Sequence, residues 1–199
     1  MSTYLKKVRS CKFRKYCCIK MKLDIAEPLR TSKGSQVALL KGDELNLKLQ
    51  NVISPFGYGV FGGDGQERRV NLDINVSELV YHQLFEEIDE EIIKIATQQS
   101  STLFRKVLSE KDVRQNYRPI LKTSDTYEPK LRTKINLDKI NFWDQQCEPT
   151  KVPTCKLKSC TLNIRGAFKS IWIMPSGQFG ASFECSDIQY SEPKFECPF

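Results

Sequence analysis

Histidine is almost absent from this chain: His82 is the only one. A Ser-His-Asp or Cys-His site would depend wholly on it, and it falls beside Tyr81 in an acidic stretch. No P-loop, nucleophile elbow, GxGxxG or HExxH pattern occurs. The common phosphate-cradling, hydrolase and zinc-protease arrangements are thereby missing. The eight cysteines include no C-x-x-C pair, whereas a structural zinc needs four Cys or His ligands at recurring short spacings. Reduced, partly buried thiols of an intracellular protein are expected instead, with no metal and no cofactor. There is no run of about 18 apolar residues, so no membrane span is expected. No apolar core follows the basic start, so no secretory signal is expected either. No catalytic residue is assigned, and neither an enzyme nor a small-molecule substrate is expected.

What is present is charge, unevenly placed. Of 199 residues, 31 are Lys or Arg and 24 are Asp or Glu, for a formal net charge of +7. Residues 1–22 alone hold eight of the bases and no acid. Residues 1–21 read as a disordered basic leader. The remainder is close to neutral but polarised, acidic over 23–100 and basic over 101–199. A polyanion partner must therefore meet a local patch rather than the overall charge.

Periodicity divides 22–190 into strands around one helical insertion, a single domain, with 191–199 as a tail. Leu45, Leu47 and Leu49 alternate with polar residues, as do Val70, Leu72, Ile74 and Val76. This is the pattern of half-buried strands. Between them Phe56–Phe61 reads as an aromatic and glycine strand, with Gly62-Gly63-Asp64-Gly65 as a hairpin tip. From Ser77 the period changes. Tyr81, Leu84, Phe85, Ile88, Ile92 and Ile95 recur three and four apart, the mark of an amphipathic helix capped by Ser77. Ser109 and Asp112 have the spacing of a capping box. Residues 138–158 read as a long surface loop. Leu162–Ile164 and Ile171–Met174 form two strands or one bent strand with Gly166 as a bulge. Phe179, Ala181, Phe183 and Cys185 define a closing strand.

The stretch YRPILKTSDTYEPKLRTKINL, residues 117–137, carries the sharpest signal. Leu131, Thr133 and Ile135 face one side of a strand, while Lys130, Arg132 and Lys134 face the other. Three cations in a row, roughly 7 Å apart, suit an extended polyanion. Aromatics beside them suit unpaired bases. Lys122, Lys130, Arg132 and Lys134 are the expected phosphate contacts, with Arg118, Arg68 and Arg69 as helpers. Tyr58, Tyr117 and Trp172 have small or charged residues two positions away, and are the rings expected to face solvent and stack bases. The fold class this suggests is mainly β: about seven or eight mainly antiparallel strands forming a five-stranded, OB-fold-like antiparallel Greek-key barrel with additions, and a helical insertion at about 77–116.

A resemblance adds to these residues. EEIDEEIIKIATQQS, TLFRKVLSEKDVRQNYRPILKTS, YEPKLRTKI and IWIMPSGQFGASFECSDIQY occur in that order. They hold a Y-x-P-(I/L)-(V/L)-K segment at Tyr117–Lys122, a Y-x-P-x-(L/M)-(R/K)-x-K-(I/L) strand at Tyr127–Ile135, and an I-W-x…G-x-(F/Y)-G hairpin at Ile171–Gly180. With Val70–Ile74 as a further strand, residues 50–190 resemble the single-stranded-DNA-binding proteins of nucleocytoplasmic large DNA viruses. The resemblance implies an OB-fold and sequence-independent binding of single-stranded DNA in viral replication, recombination or repair, at a replication site in the host cytoplasm or nucleus. RNA and self-association along the strand stay open as further partners. Two other readings also stay open: a scaffold module of a replication complex or virion without nucleic-acid binding, and a nuclease, which would need carboxylates converging on a metal.

Overall fold

The computed structural model describes residues 24–31, 34–41, 46–59 and 68–193. The basic leader, Leu45, the last two residues of the aromatic and glycine strand (60–61) and the hairpin tip at 62–65 lie outside them, as does the end of the tail.

Asp24–Ile25 (β1) and Leu29–Arg30 (β2) pair with one edge of Gln36–Lys41 (β3). Asn46–Ser54 (β4), Tyr58–Gly59 (β5) and Arg69–Asn75 (β6) follow. The helical insertion comes next: Leu79–Gln98 (α1), Ser100–Phe104 (α2) and Glu110–Asn116 (α3). The chain then returns to strands with Leu121–Lys122 (β7), Lys130–Asn136 (β8), Asn141–Trp143 (β9) and Pro149–Thr150 (β10). Two long strands finish it, Cys160–Ile173 (β11) and Phe179–Ser191 (β12).

Five of these strands close on themselves. β4 pairs with β6, β6 with β8, β8 with β12, β12 with β11, and β11 with β4. A mainly β, OB-fold-like barrel with a helical insertion is therefore present. It departs from the sequence reading in two ways. The barrel is not wholly antiparallel, because β8 runs parallel to β12 at Phe183↔Thr133 and Glu184↔Lys134. Short strands (β1, β2, β5, β7, β9, β10) raise the count, and β9 and β10 fall inside the expected loop at 138–158.

The alternating residues fill the barrel as their period dictates. Leu47, Leu49, Val70, Leu72, Ile74, Leu131, Ile135, Phe183 and Ile188 are buried inside it. Thr133 is a buried polar member, and its hydroxyl donates to the Phe183 carbonyl at 3.2 Å. β11 is one bent strand, with a register shift between Arg165 and Gly166. A Cβ at Gly166 would stand 2.5 Å from the Glu184 carbonyl oxygen, so only glycine lets the two backbones approach there.

α1 lays Tyr81, Phe85, Ile88, Ile92 and Ile95 against the barrel. Phe85 meets Phe168 edge to face at 6.2 Å, and the Tyr81 hydroxyl accepts the Gln50 backbone N–H at 3.0 Å. The residue before α1 is Glu78, not the expected Ser77, and it makes no side-chain cap. α3 does carry its capping box: Ser109 Oγ accepts the Asp112 N–H, and Asp112 accepts the Ser109 N–H. No described helix is long and apolar enough to cross a membrane.

Candidate nucleic-acid interface

The outer face of β6, β7 and β8 gathers the cations. β8 alternates as expected, with Leu131, Thr133 and Ile135 inside and Arg132 and Lys134 exposed. Register then decides the neighbours, because residues directly opposite share a face. Lys122 lies opposite Lys130, Asn71 opposite Lys134, Asp73 opposite Arg132, and Arg69 opposite Asn136. Lys122, Lys130, Arg132, Lys134 and Arg69 therefore stand on one surface.

Their surroundings differ. Arg132 donates from Nε and Nη2 to the two oxygens of Asp73, at 2.7 and 2.8 Å. That pairing holds the Asp73 carboxyl below its ordinary range and raises the guanidinium pKa, each chiefly through the hydrogen bond. Lys134 Nζ donates to Ser182 Oγ at 3.1 Å. Lys130 Nζ lies 4.8 Å from the Phe56 ring centre and 5.1 Å from that of Tyr127, a cation held between two ring faces. Among the described residues, Lys122, Lys130, Lys134, Arg69 and Arg118 form no ion pair with a carboxylate. Arg68 is displaced from the row and pairs with Asp138 at 3.2 Å.

Two of the three rings the sequence points to, Tyr58 and Tyr117, are buried. Tyr58 is 8% exposed and Tyr117 is 5% exposed, so neither is free to stack a base. Tyr58 lies opposite Leu72, which points inward, and pairing carries its ring inward too. Its hydroxyl reaches the Pro153 carbonyl at 3.4 Å. Tyr117 ends α3, packs on Phe179 with ring centres 5.1 Å apart, and donates its hydroxyl to Asp89 Oδ1 at 2.5 Å. The Ile120 N–H also points at the Asp89 carboxylate. Burial outweighs these donors and raises the Asp89 pKa to about 6. Trp172 is half-buried. It lies across Gly180, where a Cβ would stand 2.7 Å from Trp172 Cζ2 and 2.9 Å from the Arg118 carbonyl oxygen. Arg118 is exposed, and its N–H bonds the Phe179 carbonyl at 2.8 Å.

Among the described residues the exposed rings are Phe56, at 65%, and Tyr127, at 68%. Both flank strong sequence signals, but only the fold shows that they converge on Lys130. A sequence clue exists: each neighbours a proline, Pro55 and Pro129 one and two residues away, and so sits off the regular pleat.

A second cleft lies elsewhere on the barrel wall. It is lined by Lys48, Arg165, Trp143, Asn163, Asp187 and Gln189. Trp143 Nε1 donates to Asp187 at 3.2 Å, and Asn163 donates to Gln189 at 2.9 Å. Among the described residues no three or more His, Cys, Asp or Glu side chains converge as a metal would require.

No protein-family model and no curated protein matches the chain. Solved structures do. The single-stranded DNA-binding protein from bacteriophage Enc34, in complex with ssDNA, superposes with a TM-score of 0.53 at 12% identity, over 85% of this chain and 97% of that one. A C-terminal truncation of the same phage protein gives 0.52 at 11% identity, over 87% and 97%. At such identity the likeness is one of fold.

Proposed function

We propose that this chain binds single-stranded DNA without sequence preference, across the outer face of β6, β7 and β8. One observation carries the reading: Lys122, Lys130 and Lys134 share that face with no carboxylate partner among the described residues, and two exposed rings, Phe56 and Tyr127, bracket Lys130. Cations spaced along a strand track the phosphates, and rings beside them take bases whatever their identity.

The fold supports the same surface by analogy. In OB-type barrels the face of the second and third strands, with the loops joining strands one to two and four to five, binds oligonucleotides. Here those strands are β6 and β8. The first connection starts after β4 with Pro55 and Phe56, and the other is the turn 174–178, next to Trp172 and Arg118. The Enc34 protein, which shares the fold, is described as bound to ssDNA. A role in replicating, recombining or repairing a viral genome belongs to this proposal, as does a non-enzymatic mode of action.

Five unpaired cations (Lys122, Lys130, Lys134, Arg69, Arg118) suggest a salt dependence with a log–log slope near −3.5, at about −0.7 per neutralised phosphate. Gel-shift titration of matched ssDNA, ssRNA and duplex oligomers at two salt concentrations tests the reading. Preference for single strands, weakening with salt, supports it. No binding of any oligomer at about 100 mM salt would favour the scaffold alternative.

A further inference from the structure

Two thiols face each other in a loop that strand binding does not use. Residues 153–160 fold tightly, through Lys156 N–H to the Pro153 carbonyl, Lys158 N–H to Cys155, and Cys160 N–H to Leu157. Lys156, Leu157 and Ser159 all have positive φ, at 50°, 61° and 57°. Non-glycine residues accept that conformation only where packing enforces it. Leu157 is fully buried, and Lys156 and Ser159 bond the chain around Phe56: Tyr58 N–H to the Lys156 carbonyl at 2.9 Å, Ser159 N–H to the Ser54 carbonyl at 2.7 Å. Gly57, at φ 69°, presses against this loop so closely that a Cβ would stand 2.2 Å from the Lys156 carbonyl oxygen. The loop and the turn that presents Phe56 are one packed unit. Within it the sulfurs of Cys155 and Cys160 are 3.8 Å apart, already in van der Waals contact, with Cys155 partly exposed and Cys160 buried.

We propose that Cys155 and Cys160 are a modification site, a dithiol that a peroxide converts to a disulfide, closing on itself the 153–160 loop on which the turn that carries Phe56 packs. Cys155, the accessible partner, reacts first. Its thiolate attacks one peroxide oxygen, the O–O bond breaks, and the departing hydroxide is protonated to water, leaving a sulfenic acid. Cys160 then gives up its proton, its sulfur attacks the Cys155 sulfur, and the S–O bond breaks to release a second water. Two thiols lose two electrons and one peroxide gains them. Closure brings the sulfurs from 3.8 Å to the bond length of about 2.05 Å. Burial, then the neighbouring Cys155, pushes the Cys160 thiol up to about 12, so the second step quickens as pH rises.

The consequence for strand binding rests on the function proposed above. A stapled loop fixes Gly57 and so holds Phe56 over Lys130 before the strand arrives, and preorganisation of that kind is read mainly in the dissociation rate.

The test uses the full chain, fully reduced, then treated with hydrogen peroxide, alkylated and cut with trypsin. Lys156 and Lys158 lie between the two cysteines, so only a disulfide can join peptide 152–156 to peptide 159–165. The joined peptide is expected, formed faster at pH 8.5 than at pH 6.5, lost on reduction, and absent from Cys155→Ser and Cys160→Ser. Oxidised wild type is expected to release oligo-dT several-fold more slowly than reduced wild type, with neither serine variant showing the change. Unjoined peptides while Cys147 or other thiols react would overturn the modification site. A joined peptide with unchanged release would overturn its link to Phe56. Reduced protein that binds no oligo-dT would count against the proposed function alone, since the peptide readout does not depend on it.

Discussion

Arg132 grips Asp73 across the β6–β8 pair with two short hydrogen bonds, 2.7 and 2.8 Å, at the centre of the cationic face. The carboxylate therefore takes up a cation that would otherwise meet a phosphate, and it adds a negative charge to the strand's path. Asp73→Asn is expected to tighten oligo-dT binding and to steepen the salt slope by about 0.7, the share of one phosphate. Arg132→Ala is expected to weaken binding although Arg132 itself meets no phosphate, because Asp73 is then left uncompensated in the strand's path. Fluorescence titration over a salt series reads both. A Asp73→Asn variant no tighter than wild type would show that the pair is not in the path.

Among the described residues Phe56 and Tyr127 are the most exposed rings, whereas Tyr58 and Tyr117 are buried in the fold. Phe56→Ala and Tyr127→Ala are each expected to cost about 1–3 kcal/mol of oligonucleotide affinity with little change in urea midpoint. Tyr117→Phe removes the hydroxyl that Asp89 accepts. It should lower stability and leave affinity for the folded protein unaltered. Equilibrium unfolding beside a binding isotherm separates the two classes.

Both tryptophans are half-buried, so either can report binding. In a Trp143→Phe background, emission from Trp172 is expected to change on saturation with oligo-dT, because the ring lies over Gly180 beside Ser182, which holds Lys134. Unchanged emission at saturation would remove Trp172 from the interface.

Asp89 gives stability a pH dependence. Burial raises its folded pKa to about 6, above the unfolded value of about 3.9. The contribution is fully present below the unfolded pKa and lost as pH rises through about 6, a difference of about 3 kcal/mol at 1.36 kcal/mol per unit. Wild type should lose stability between pH 4 and pH 7 relative to Asp89→Asn, which cannot ionise. Urea midpoints across that range measure the difference, and parallel curves for the two proteins would contradict it.

The barrel was legible wherever one strand face is wet. The alternation at 70–76 and 130–135 and the switch to a helical period after Ser77 fixed the main elements, and Gly166 marked the bend in β11. The parallel β8–β12 contact was not legible, since a period of two says nothing about which strands pair. Lys130, Arg132 and Lys134 share one face because they alternate along the single strand β8, whereas Arg68 turns away to Asp138. Tyr58 and Tyr117 are buried although small or charged neighbours along the chain point to exposure. The residues that bury Tyr58 and Tyr117 are distant in sequence: Leu72 and Pro153 for one, Asp89 and Phe179 for the other. Arg132 looked free for the same reason, since its partner Asp73 lies 59 residues away.

The central claim is that unpaired lysines on the outside of β7 and β8 meet the phosphates of a single strand. The direct measurement is the log–log salt dependence of oligo-dT affinity for wild type and for the Lys122→Ala, Lys130→Ala, Lys134→Ala triple variant, with folding checked by circular dichroism. A slope shallower by about 2 in the folded variant is the expected result, and an unchanged slope would contradict it.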